Sequence, residues 1–89
     1  MLKVYSATWC PHCQKAIDWL KNQKIPFEVI DIEKAGEETV KKVIGANGGD
    51  DWVVPTLEYR GLWREGKGFE AASFREDLVR MGVEMPADA

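Results

Sequence analysis

The 89-residue chain reads as one α/β domain with the element order β-α-β-α-β-β-α. Three observations predict this class. Short stretches rich in strand formers alternate with stretches whose apolar residues recur at i, i+3, i+4 and i+7. A long helical stretch separates the first two strands, which makes them parallel partners in a βαβ unit. The last two strands are joined only through Arg60-Gly61 and read as a hairpin.

Taken in order, "LKVYS" from Leu2 to Ser6 alternates apolar and polar residues and forms the first strand. From Pro11 onward, Cys13, Ala16, Ile17 and Leu20 line one face of a helix that has proline at its first position. "PFEVIDI", Pro26 to Ile32, is the second strand. "EETVKKVIGA" is a short second helix, and the turn-rich "NGGDD" follows it. "VVPTLEY" and "LWRE" are the hairpin strands. In "FEAASFREDLVRMG" the residues Phe69, Ala72, Phe74, Leu78, Val79 and Met81 form the apolar stripe of a last helix, closed at Gly82. The charged stretch "EKAGEETVKK" reads as a solvated helix face with i,i+4 pairs Glu37–Lys41 and Glu38–Lys42. There is no internal repeat and no linker, so residues 1–89 form a single domain.

Composition limits the function. With 45% of residues apolar and 10% aromatic, the chain has enough side chain for a core. A net charge of −3 argues against nucleic acid as a partner. No run of about 18 apolar residues is present, so no membrane span is expected. "MLKVYS" lacks the apolar region and cleavage site of a signal peptide, and a cytoplasmic, reducing location is the expectation.

"TWCPHC", residues 8 to 13, follows the first strand directly and holds both cysteines and the single histidine. Three readings are open for Cys10 and Cys13. A structural disulfide is disfavoured in a reducing compartment, and it would close a loop too short to constrain the unfolded chain. A structural zinc site wants four ligands, whereas Cys10, His12 and Cys13 have no second cluster downstream; only sharing between two chains would complete it. An exchange-active dithiol at the start of a helix is the leading reading, and no metal is expected.

A strand, then "CPHC" opening a helix, then Val54-Pro55 opening a hairpin, then a final helix, resembles the glutaredoxin branch of the thioredoxin superfamily. The element order matches over nearly the whole chain. The resemblance implies a thioredoxin-like fold, in which a central four-stranded mixed sheet is flanked by three helices and a cis Pro55 faces the dithiol. It implies a thiol–disulfide oxidoreductase.

The chemistry of the motif stands independently of the resemblance. Only a thiolate attacks a disulfide, and an ordinary thiol with a pKa of about 8.5 is mostly protonated at neutral pH. The unpaired N–H groups and dipole of a helix N-terminus favour the anion, so Cys10 is expected to have a lowered pKa and to be the nucleophile. Cys13 lies one turn in, on the core-facing side, and is expected to resolve the mixed disulfide. Pro11 stiffens the start of the helix. His12 can place positive charge near the thiolate and raise the reduction potential. Glutaredoxins mostly carry tyrosine in its place, and a Pro-His pair is similar to that of strongly oxidising periplasmic disulfide donors.

Two departures bear on the substrate. Where glutaredoxins that use glutathione carry a cation three residues before the first cysteine, Ala7 stands. Their Gly-Gly-acidic stretch after the hairpin is replaced by "GKGFEAAS", with Lys67 between Gly66 and Gly68. The backbone of Val54 remains available to pair with an extended glutathione or peptide strand. Trp9 is expected at a docking surface, with Trp52 lining the same groove, while Trp19 and Trp63 read as ordinary core aromatics.

The expected protein is therefore a monomeric oxidoreductase without a bound cofactor, reducing disulfides of proteins or of glutathione. Its reductant is glutathione or a thioredoxin-reductase-type flavoenzyme; with the latter it resembles redoxins that serve ribonucleotide reductase. A different class is a binding module holding an iron–sulfur cluster between two subunits through Cys10 and bound glutathione. By the same resemblance, proline after the first cysteine disfavours that class.

Overall fold

A computed structural model describes residues 1–85. The elements are β1 (Leu2–Ser6), α1 (Pro11–Asn22), β2 (Phe27–Asp31), α2 (Glu37–Ala46), β3 (Thr56–Tyr59), β4 (Leu62–Arg64) and α3 (Ala71–Arg80). The strands make one mixed sheet in the order β2-β1-β3-β4, with β1 parallel to β2 and antiparallel to β3. This is the thioredoxin-like architecture expected from the sequence. None of its helices is long and apolar enough to cross a membrane among the described residues.

The period of two in β1 divides the core. Leu2 and Val4 join Leu57 on one face, covered by Ala16 and Leu20 of α1 and by Phe74 and Leu78 of α3. Trp19 meets Phe74 edge to face at 5.3 Å. Tyr5 and Ala7 point to the other face, with Ile32 and Val43 of α2. There Trp63 stacks on Tyr5 with centroids 5.6 Å apart. Both cysteines belong to this second cluster.

Local chemistry sets the element ends. Helix α1 begins at Pro11, whose missing N–H would be unpaired in the first turn anyway. It ends with Lys24 in the left-handed region, where Lys24 N–H donates to Lys21 C=O and Ile25 N–H to Leu20 C=O. The same pair of bonds closes α3, with Met81 as C-cap and Gly82 one residue beyond, in the left-handed region at φ 87°. The hairpin turn Arg60-Gly61 has both residues at positive φ, the turn that suits strand twist, and Glu58 Oε2 accepts the Gly61 N–H at 2.6 Å.

Three expectations need correction. Residues Val53 to Pro55 are not strand; β3 starts at Thr56, because Pro55 has no N–H to give a ladder. Ala72 and Val79 are off the α3 stripe, Val79 being 56% exposed, since Leu78 already takes the core-facing position and its neighbour is rotated about 100° away. Neither Glu37–Lys41 nor Glu38–Lys42 forms an ion pair; the ion pairs among the described residues converge on Asp77.

Asp77 on α3 receives Arg64 Nε at 2.8 Å, Lys67 Nζ at 3.2 Å and Arg80 Nη1 at 3.3 Å. The Arg64 guanidinium is buried over the Phe74 ring at 4.9 Å, with Nη1 and Nη2 lacking a hydrogen-bond partner. This pairing ties the end of the sheet to α3 and fixes where the intervening loop runs.

Candidate active site

The loop from β1 to α1 is closed by a turn in which Cys10 N–H donates to Ala7 C=O at 3.1 Å. Cys10 is the N-cap of α1, and its Sγ accepts the Cys13 N–H at 3.1 Å. A sulfur thus occupies the place where a serine or aspartate oxygen caps many helices, among N–H groups and a dipole that favour negative charge. Cys10 is 7% exposed and Cys13 1%. Burial, and secondarily the hydrogen bond with Cys10, pushes the Cys13 thiol up to about 12, so Cys13 stays protonated at neutral pH. Both cysteines are free thiols.

The segment before β3 comes to the same place. Val54-Pro55 is a cis peptide, and the Cys10 thiol faces the Val54 carbonyl oxygen at 3.9 Å. No group among the described residues accepts the Val54 N–H. A polar junction around Asn47, the C-cap of α2, positions the segment. Asn47 Nδ2 donates to Val43 C=O at 2.8 Å and to Thr56 Oγ1 at 2.9 Å. Its Oδ1 accepts the Gly66 N–H at 2.7 Å. Thr56 in turn donates its hydroxyl to Val53 C=O. Gly66 lies so close that a Cβ there would stand 2.6 Å from Val53 Cβ.

Trp9 projects from the loop, 62% exposed, and its ring centroid lies 6.4 Å from that of Trp52. Trp9 Nε1 donates to Glu33 Oε1 at 3.1 Å. Val53, also exposed, continues this apolar surface. Pro11 and His12 are exposed on the first turn of α1. The ring of His12 lies against Gly68, and its Nδ1 accepts the Phe69 N–H at 3.0 Å. In this arrangement Nδ1 carries no proton, and the histidine anchors the loop between β4 and α3.

Trp9, Cys10, Pro11, His12, Cys13, Trp52, Val54 and Pro55 therefore gather at the C-terminal end of β1. Ala7, 4% exposed between β1 and α2, leaves no surface position for a cation. In the "GKGFEAAS" stretch four backbone donors are occupied: Gly66 by Asn47, Phe69 by His12, and Ala72 and Ser73 by the Glu70 carboxylate. The Ser73 hydroxyl and these N–H groups hold the Glu70 carboxyl below the usual range. Sequence reasoning missed Glu33, Asn47, Thr56 and Phe69. Of these, Asn47 just after a helix and ahead of two glycines carries a weak capping signal; the others carry none.

Comparison with known proteins agrees with this geometry. The family described as Glutaredoxin matches residues 2–52. No curated protein sequence matches the chain. Among solved structures, a glutaredoxin from Archaeoglobus fulgidus is 28% identical, with a TM-score of 0.68 over 89% of this chain and 85% of that one. A wheat glutaredoxin is 19% identical, with a TM-score of 0.65 over 98% and 83% of the two chains. A buckwheat glutaredoxin–glutathione complex is 17% identical, with a TM-score of 0.62 over 91% and 69%. The last two show the fold alone. With a dithiol at the head of α1 beside a cis-proline segment, and with the family match over more than half its length, the chain belongs to the glutaredoxin family and is a thiol–disulfide oxidoreductase of thioredoxin-like fold.

Proposed function

We propose that the chain reduces disulfides of protein substrates through Cys10 and Cys13, with glutathione mixed disulfides as poorer substrates. The observation that carries this reading is the Cys10 sulfur at the N-cap of α1, 3.1 Å from the Cys13 N–H and facing Val54. In the first step the Cys10 thiolate attacks one sulfur of the substrate disulfide. A Cys10–substrate bond forms, and the other substrate sulfur leaves as a thiolate. Cys13 then gives up its proton and attacks Cys10 Sγ. The Cys10–Cys13 disulfide closes, and the second substrate sulfur leaves. Two electrons pass to the substrate, and an external thiol or a reductase returns them.

The raised Cys13 thiol suits a resolving role, because it stays silent until the mixed disulfide places an electrophilic sulfur beside it. The free Val54 N–H and its carbonyl offer backbone pairing to an extended substrate. A structural neighbour holds glutathione, so glutathione is a reasonable reductant. In this chain, however, the absent cation at Ala7 and the occupied donors at Phe69, Ala72 and Ser73 weaken the grip on its carboxylates. A lost charge-assisted bond, on the order of 1.5–3 kcal/mol, corresponds to about tenfold or more in affinity.

Alkylation of the reduced protein with substoichiometric iodoacetamide at neutral pH, followed by peptide mass mapping, tests the roles. Cys10 should be labelled first, and preferential labelling of Cys13 would reverse the assignment. Turnover with glutathione and glutathione reductase, compared with NADPH and thioredoxin reductase, identifies the reductant. Efficient reduction of glutathione mixed disulfides at low concentration, with insulin untouched, would refute the substrate order.

A further inference from the structure

Carboxylates surround the exposed tryptophan surface beside the dithiol. Glu33 accepts the Trp9 indole N–H at 3.1 Å, which places its charge at the edge of that ring. Asp51 Oδ1 accepts the backbone N–H of Trp52, the other member of the aromatic pair, at 2.8 Å. Across the dithiol, Glu70 follows Phe69, the residue whose N–H is held by His12. None of these three carboxylates forms an ion pair with a described residue, and all are exposed. Opposing charges include Lys34, next to Glu33, Lys15, one turn along α1 from His12, and Lys67, which is bound to Asp77 at 3.2 Å. His12 is used as an acceptor and adds no cation in this arrangement.

We infer that this surface docks protein segments in which basic residues flank the disulfide to be reduced. Resting on the oxidoreductase reading above, it narrows the substrate class. The tryptophans contribute apolar area, and a Lys or Arg beside the substrate cysteine meets both an aromatic face and a carboxylate that has no ion pair among the described residues. An acidic substrate meets like charge at Glu33, Asp51 and Glu70 and finds the Phe69, Ala72 and Ser73 N–H groups already taken.

The test is single-turnover reduction of peptide disulfides by the pre-reduced protein, so no other reductant enters. Three capped five-residue peptides, each as its disulfide dimer, differ only in the residues flanking cysteine: two Lys, two Gln or two Glu. Each rate is divided by that with dithiothreitol, whose attacking thiolate carries no acidic docking surface, to remove the intrinsic reactivity of the peptide. At low salt the normalised rates should fall in the order Lys, Gln, Glu. The Lys and Glu peptides should differ by roughly tenfold, and the difference should collapse at high salt.

Glu33→Gln combined with Asp51→Asn keeps the acceptors and removes the charges, and should reduce the Lys-to-Glu ratio by at least half. Glu84→Gln, near Met1 and Ile25 at the far end of β1, should leave that ratio in place. Equal normalised rates for all three peptides, or a preference for the Glu peptide, would overturn the inference. Failure to reduce even the Gln peptide would overturn the oxidoreductase reading itself, a separate result.

Discussion

Replacing Asn47 with Ala removes one side chain that joins three segments around the dithiol. The bonds lost are those to Val43 C=O at 2.8 Å, Thr56 Oγ1 at 2.9 Å and Gly66 N–H at 2.7 Å. A hydrogen bond contributes about 1 kcal/mol net, and a donor or acceptor left unpaired in a half-buried place costs a similar amount. Val43 is fully buried, so no water replaces the bond to its C=O and that loss counts in full. The Gly66 N–H, held close against Val53, is equally hard to satisfy. The sum is about 2–3 kcal/mol, against a total near 5–10 kcal/mol for a domain of this size. A fall of roughly 10–20 °C in Tm follows, or about 1–2 M in the urea midpoint at unchanged slope. Circular dichroism and tryptophan fluorescence, recorded together, measure both. The rate of peptide disulfide reduction should also fall, since Val53 and Val54 lose their tie to α2. A midpoint shift below about 0.5 M with full activity would refute the reasoning, because it would mean water replaces all three bonds.

Gly66→Ala acts on the same junction by crowding: its Cβ would stand 2.6 Å from Val53 Cβ and 2.8 Å from the Val53 carbonyl carbon. A loss of about 1–3 kcal/mol is expected in thermal melts, with slower peptide reduction, and a wild-type melt would contradict it. Asp77 gives an acid limb. Burial raises its carboxyl, but hydrogen bonds from Arg64 and Lys67 and their charges outweigh this and hold it below the ordinary value. A depressed folded value means the stabilisation is complete above the unfolded carboxylate value of about 3.9 and is lost as pH falls through the folded one. Asp77→Asn should therefore destabilise by about 3 kcal/mol or more near neutral pH and flatten the stability profile below about pH 4. A variant whose profile retains the full acid slope would assign that slope elsewhere. His12→Tyr removes the acceptor of the Phe69 N–H, and about 1 kcal/mol of stability should go with it in thermal melts. Since His12 serves as an acceptor and not as a cation beside the thiolate, the reduction potential measured against thiol buffers should change by less than about 30 mV, and a larger fall would contradict that reading.

Residues alone carried the local part of this protein. The alternation in Leu2 to Ser6 and the Cys13, Ala16, Leu20 spacing are short-range patterns, and β1, α1 and α2 lie where those patterns put them. The dithiol at a helix start is equally local, because Cys10, Pro11 and the first turn are contiguous. Tertiary structure decided what depends on partners far along the chain. His12 meets Phe69 across 57 residues, Trp9 meets Glu33 across 24, and Asn47 meets Gly66 across 19. No periodicity encodes such pairs; each needs the sheet order β2-β1-β3-β4 to bring its segments together. The same holds for burial. Nothing in the sequence marks Arg64 for burial, and only the Phe74 ring and Asp77 on α3 make it an interior residue. Chemistry was therefore legible in the motif, while the surface that selects what the dithiol meets is a product of the fold.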